Sequence, residues 1–354
     1  MQEQTPYWQK HAAAPELDLL TEEDLELINA LQIAPRVTWQ DAGAILGVRP
    51  ATLAARWERI EADGLAWITA YGVGDSTEMT LAFVDVDCTP GEVMAVADAL
   101  NGIPEVQTVE LPASHHDAML TVFTRSLYDY ANVVAPRILA IPGVERIHTA
   151  LGGRLHQAGH SWRIPALDAR KSAAFAGLAV HPRHPGALTP ACRDLMPLLA
   201  QDGRATAAQM AKDLRRHPST VQRQLARLLG SGLIAFRCDV AQLAVGFPVI
   251  CTWYAKVPSG QHAAAAAGIR SLRSVRLAAS ITGRANFIVT MWLRSVADVV
   301  SAELAMAEKV PGIEFMESII VLRVTKRMGV LIGPDGRAQG RVALPREAMP
   351  AGLD

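Results

Sequence analysis

An α+β chain, in which a helical module and a βαββαβ module alternate and each occurs twice, is the fold class that the sequence predicts. Three observations carry it. Residues 24–68 and 192–236 fall into register at an offset of 168 without a gap, so that Leu27 meets Leu195, Leu31 meets Leu199, Leu46 meets Leu214 and Ile60 meets Leu228. The register continues downstream, with 88–111 against 256–279; one extra residue then enters the turn of the second copy, and FTRSLYD (123–129) matches WLRSVAD (292–298) at an offset of 169. Within each copy the apolar pattern changes from helical spacing to the alternation of strands. A chain of 354 residues is thus read as a duplicated unit, about four small domains in all.

Thr21 precedes an acidic turn (Glu22, Glu23, Asp24) and starts the first helix, with Thr21 and Asp24 at capping-box spacing. Thr38 starts a second helix, Gly47 ends it, and Pro50 opens a third that stops at Gly64. Thr189, Thr206 and Pro218 take the corresponding places in the second copy, and the runs GLAWITAYG and GLIAFRCDV after the third helices suit the hairpin of a wing. The next module reads as a strand at 79–87, a helix from Pro90, strands at 105–111 and 118–124, a helix at 128–140 and a strand near 145–151. Its second copy has strands near 248–257, 273–281, 286–294 and 313–325. That order is the order of a ferredoxin-like sandwich. The expected boundaries are winged helix-turn-helix modules at 17–72 and 188–240 and sandwich modules at 77–156 and 246–327. A Pro- and Gly-bearing linker at 157–187, with a short helix at 166–175, joins the copies, and 328–354 is a flexible tail.

Half of the residues are hydrophobic and 19% are charged, which excludes a mainly disordered chain. A net charge of −1 gives no global basic field, so a nucleic-acid surface has to be sought module by module. Cys88, Cys192, Cys238 and Cys251 form no CxxC pair, which argues against a disulfide framework. The N-terminus lacks the basic start and apolar stretch of a signal peptide, and no apolar run is long enough to cross a bilayer, so a cytoplasmic chain with no membrane contact is expected. There is no GxGxxG, GxxxxGK[ST] or GxSxG motif, and the pairs His156/His160 and His181/His184 lack a completing ligand. No cofactor and no metal are expected.

The LGV-x-x-x-T turn at 46–52, the GLI exit at 232–234 and the IPGV turn at 141–144, set in this element order, resemble the Lrp/AsnC family of transcriptional regulators over 17–152 and 188–327. The resemblance implies helix-turn-helix modules that bind double-stranded DNA and sandwich domains that oligomerise and sense a small effector, with amino acids among the candidates. Two units in one chain imply a pseudo-dimer that associates further.

Helix geometry then selects the residues that meet DNA. PSTVQRQLARLL exposes Ser219, Thr220, Gln222, Arg223 and Arg227, with Arg215 and Arg216 in the preceding turn; PATLAARWERIE offers Thr52, Arg56 and Arg59, with Arg49 ahead of it. Seven basic against three acidic side chains give +4 over 192–236, whereas four against six give −2 over 24–68, so the second module is expected to dominate. The family's effector pocket involves the turn between the second and third strands. This implies Thr282, Gly283, Arg284 and Asn286 in one copy, Asn286 replacing an acid, and Ser114, His115, His116 and Asp117 in the other. Ordinary hairpin turns are the alternative for both. A sirohaem decarboxylase is the competing function, since such enzymes resemble Lrp/AsnC units in pairs or fusions. His115, His116, His148 and Arg284 would then serve a tetrapyrrole's carboxylates. The polar, basic face of the second recognition helix favours the regulator.

Overall fold

The computed structural model describes residues 20–72, 79–179 and 189–342. Helix α1 (Glu22–Ile33) starts on a complete capping box: Asp24 N donates to Thr21 Oγ1 and Thr21 N to the Asp24 carboxylate. Thr38 caps α2 (Trp39–Leu46), which closes on Gly47 in the left-handed region, and Pro50 opens α3 (Pro50–Ala62). Strand β1 (Ala66–Gly72) follows.

The first βαββαβ unit comprises β2 (Thr80–Cys88), α4 (Val93–Asn101), β3 (Val106–Ala113), β4 (Ala118–Thr124), a broken helix and β5 (Val144–Gln157). The broken helix is α5 (Leu127–Asp129), a π-helical turn (Tyr130–Val134) and α6 (Ala135–Leu139), not the continuous helix that the periodicity predicts. Pro136 has no N–H to give to the preceding turn, and the widened turn ahead of it absorbs the defect.

Helix α7 (Ala169–Leu178) lies in the segment expected to be a linker, and the described part of that segment, 157–179, is packed. Trp162, Ile164 and Phe175 are buried with the core of the first helical module. Ile164 N donates to Gln32 Oε1 (2.8 Å) and Leu167 N to Asn29 Oδ1 (3.0 Å), so two polar side chains on the buried face of α1 hold the segment. His181 and His184 lie outside the described residues.

In the second copy the first helix is broken into α8 (Pro190–Arg193) and α9 (Met196–Gln201), with Pro197 at the start of the latter. Helices α10 (Ala207–Asp213) and α11 (Pro218–Gly230) and strand β6 (Ile234–Val240) complete this module. The second βαββαβ unit runs β7 (Val249–Lys256), α12 (His262–Arg270), β8 (Val275–Ile281), β9 (Phe287–Leu293), α13 (Asp298–Lys309) and β10 (Glu314–Arg327). The offset between corresponding elements is 168 from α3 to α11 and already 169 from β2 to β7. The extra residue therefore enters ahead of β7, earlier than the turn to which the sequence match assigned it.

Each unit gives four antiparallel strands, in the orders β3-β4-β2-β5 and β8-β9-β7-β10. Seams β5–β8 and β3–β10 join them into a closed ring of eight strands. Helices cover the outside over two apolar cores, while a third cluster, with Leu81, Phe83, Ile281 and Ile288, faces inward.

The expected wing hairpins are absent among the described residues. Instead β1 and β6 pair with each other, from Ala66 against Val240 to Gly72 against Ile234. A lone strand leaves a row of unpaired backbone groups, and the other copy supplies their partners. A reciprocal clasp reinforces the junction. Arg36 donates to the carbonyls of Gly203 and Ala205, and Arg204 donates to those of Pro35 (2.7 Å) and Val37 (2.8 Å). Residues 328–342 of the expected flexible tail are packed: β11 (Val330–Ile332) pairs with β10, β12 (Ala338–Arg341) pairs with β11, and Ala338 N donates to Gly64 O (2.9 Å). Gly64 is required there, because a Cβ would lie 2.4 Å from Ala338 O. No helix among the described residues is long and apolar enough to cross a membrane.

Candidate functional site

Two third helices carry the residues expected to meet DNA, and their surroundings differ. In α3, Arg59 Nη2 lies 2.7 Å from Asp24 Oδ1 and Arg56 Nε 3.6 Å from the same oxygen. Asp24 is also the capping-box residue of α1 and is buried. Arg56 and Arg59 thus brace α3 against α1, with Arg56 half-buried and Arg59 still exposed; Arg49 and Thr52 are exposed. In the second copy Arg216 is likewise tied down, to Asp194 and to Ala191 O. Arg215, Gln222, Arg223 and Arg227 are exposed on or beside α11, Thr220 is half-buried, and Ser219 Oγ lies 2.8 Å from His217 Nδ1. Arg215 takes φ 52, which turns the chain sharply into α11.

The two turns expected to bind an effector serve as ties between strands. Asp117 Oδ2 accepts from Cys88 N (2.7 Å), and Asn286 Oδ1 accepts from Val257 N (2.8 Å) in the equivalent place. Asn286 therefore takes over the hairpin tie of the acid, without the charge. Thr282 Oγ1 accepts from Leu151 N across the β5–β8 seam, Gly283 has φ 118, and Arg284 is exposed. Ser114 Oγ accepts from His116 N within its own turn (3.1 Å). His115 Nδ1 lies 3.4 Å from Glu317 Oε1, and His116 Nδ1 lies 2.6 Å from Asp87 Oδ1. No hydrogen bond joins the two turns among the described residues.

A cavity of about 730 Å³ lies between the inner face of the ring and the helical modules. Leu81, Phe83 and Ile288 give it an apolar wall, and Arg237, Arg276 and Arg327 line one side. The three arginines are buried around Asp239, whose carboxylate oxygens lie 2.7 Å from Arg237 and 2.8 Å from Arg276. Arg276 is held between two indoles, 3.9 Å from the Trp292 centroid and 4.6 Å from that of Trp162, and Arg327 lies 4.9 Å from Trp292. Burial acts to raise the Asp239 carboxyl, but Arg237, Arg276 and Arg327 outweigh it and hold the group at about 2. Burial pushes Glu110, also on the cavity wall, up to about 7 against the pull of Arg327. Positive charge is thus in excess, and Arg237 Nε has no acceptor among the described residues. Its guanidinium lies where a Cβ on Gly159 would stand 2.6 Å away, so glycine leaves it room.

Sequence reasoning missed these arginines. Their only signal is the placing of Arg237 and Asp239 two apart in a β-prone run, which puts both on one face of the strand. A pH dependence follows from Glu110. Between its ordinary value of 4.5 and about 7 the folded chain holds a proton that the unfolded chain has lost, so stability falls as pH rises through that window and is level above it. Urea midpoints across the window should show the slope, and Glu110→Gln should flatten it.

Residues 81–151, which span β2 to β5, match the model of the Lrp/AsnC ligand binding domain. An uncharacterized HTH-type transcriptional regulator of Pyrococcus horikoshii is 25% identical over 146 residues, 40% of this chain and 89% of the relative. A second such regulator, of Pyrococcus furiosus, is 25% identical over 138 residues, 38% of this chain and 91% of the relative. Among solved structures, the siroheme decarboxylase NirDL superposes with a TM-score of 0.55 at 13% identity, covering 88% of this chain and 96% of that one. The fold and the matched domain thus define an Lrp/AsnC-like ligand-binding unit of ferredoxin type, with relatives named as HTH-type regulators. The likeness to the decarboxylase is one of fold.

Proposed function

We propose that the chain is a DNA-binding transcriptional regulator of tandem Lrp/AsnC type, with two helix-turn-helix modules and two ferredoxin-type domains. The exposed face of α11 carries this reading: Arg215, Gln222, Arg223 and Arg227 lie open on or beside it, while Arg56 and Arg59 of α3 pair with Asp24. Such side chains in the first turns of a recognition helix reach base edges and phosphates. Selection of bound DNA from a genomic pool tests it. Arg223→Ala should weaken binding to the selected site about tenfold and lower the salt slope by about one, and Arg56→Ala should not. Loss of binding through Arg56→Ala with no change through Arg223→Ala would refute the assignment.

The effector on this reading is an anion with an apolar body, held in the arginine-lined cavity. The uncompensated guanidinium charge beside Leu81, Phe83 and Ile288 supports that choice over a free amino acid. Self-association is supported by Val296, Val300 and Leu304, which lie exposed four residues apart on and before α13. Sedimentation of a Val300→Asp/Leu304→Asp variant should show a smaller assembly than the parent.

A sirohaem decarboxylase remains a second reading, favoured by one observation. The same arginine-lined cavity suits a polycarboxylate. Incubation with sirohaem and product analysis separates the two: turnover without selective DNA binding would replace the regulator.

A further inference from the structure

Beyond the cavity, at the far end of β2, three groups with metal-ligand chemistry converge. Asp87 comes from β2, His148 from the neighbouring β5, and His116 from the turn that folds over both. Asp87 Oδ1 lies 2.6 Å from His116 Nδ1, and Asp87 Oδ2 lies 3.4 Å from His148 Nε2. One ligand atom from each residue lies within 4.8 Å of the other two. We infer that Asp87, His116 and His148 form a binding site for one first-row divalent cation, separate from the effector cavity and independent of which ligand that cavity takes.

The ligand set is two imidazoles and one carboxylate, which zinc and its neighbours accept while keeping a position open for water or another donor. Bonds of about 2.0–2.1 Å at tetrahedral angles hold ligand atoms about 3.3 Å apart. The Asp87–His148 separation already matches, and the Asp87–His116 hydrogen bond opens slightly. His148 closes the remaining gap by rotation, for which its side chain, 47% exposed, has freedom.

The surroundings support the site. Beyond His116, Asp85 Oδ2 lies 3.9 Å from Nε2, outside hydrogen-bond reach but close enough to add negative charge beside the ligands. Asp85 is in turn anchored by the Tyr254 hydroxyl of the second unit, which donates to it (3.3 Å). Asp85, Asp87 and Glu317 give the pocket negative charge, while Arg146, opposite Asp87 in the register, is exposed to solvent. The second unit has no such set: where the first places Asp85 opposite His148, the second places Tyr254 opposite Glu317. Tyr254 also lines the effector cavity, so the ordering of Asp85 by a bound cation reaches the cavity wall through one hydrogen bond.

The test is zinc titration of chelator-stripped full-length chain by calorimetry, with cobalt(II) absorption as a report on coordination. One zinc per chain, lost in His148→Ala and in His116→Ala, is the expected result. Asp85→Asn removes a nearby negative charge and should weaken binding, by less than the loss of either histidine. His156→Ala should leave binding unchanged, because His156 is bonded to Ser280 elsewhere. Circular dichroism of the exposed-site variant His148→Ala should match the parent, so its loss of zinc reports the site alone. Zinc bound equally by the parent and the His116→Ala/His148→Ala variant, or not bound at all, would overturn the assignment.

Discussion

Replacing Arg276 by alanine lowers the free energy of unfolding by about 3–5 kcal/mol, the cost of breaking a buried charge pair from one side. The guanidinium donates to Asp239 at 2.8 Å and fills the slot between Trp162 and Trp292, so its removal strips Asp239 of a donor and leaves a void between two indoles. Arg276→Lys should recover only part of the loss, because an ammonium supplies charge without the planar stack. Urea denaturation of both variants gives the measurement. A value for Arg276→Ala within about 1 kcal/mol of the parent would show that Arg237 alone satisfies Asp239.

The second large effect belongs to the clasp between helical modules. Arg204→Ala removes two bonds from a charged donor, to Pro35 O and Val37 O, and a guanidinium stacked 3.9 Å from the Trp39 centroid, and should cost about 3 kcal/mol. Arg36→Ala removes the reciprocal bonds to Gly203 and Ala205, but Arg36 lies 5.4 Å from the Phe236 centroid, so its loss should cost less. Unfolding monitored by tryptophan fluorescence should rank the two in that order. Burial lowers the pKa of both guanidinium groups, Arg204 to about 10, and both remain charged at neutral pH. The basic count of the second module therefore includes a residue, Arg204, that faces the first module rather than a phosphate.

Local signals were legible because short-range chemistry decides them. Thr21 and Asp24 form the capping box that their spacing announces, and Gly47 and Pro50 stand where a helix ends and another begins. Strands β2 to β4 lie within two residues of their expected bounds. What depends on the other half of the chain was not legible. The pairing of β1 with β6 needs the two copies brought together, and nothing in GLAWITAYG distinguishes a hairpin arm from a strand that waits for a distant partner. The Ala-rich run 263–267 offered no contrast to fix the offset of α12, so the extra residue was misplaced. Arg237, Arg276 and Arg327 are 39 and 51 residues apart in sequence and meet only through the closed ring. The ion pairs of Arg56, Arg59 and Arg216 were not legible because their acids lie elsewhere in the module, Asp24 on α1 and Asp194 in the turn between α8 and α9.

The ring itself bears on the symmetry of any site the chain reads. Both seams, β5–β8 and β3–β10, are closed within one polypeptide, so each half finds its mate in the same chain. Two separate identical subunits present like heads and call for a palindrome. On the proposed reading the two heads are an unlike pair, one with an open basic helix and one in which Arg56 and Arg59 are paired with Asp24. On the proposed reading, the DNA has no need of matching half-sites: a single strong half-site beside a tolerant flank suffices, and the chain binds it in one orientation.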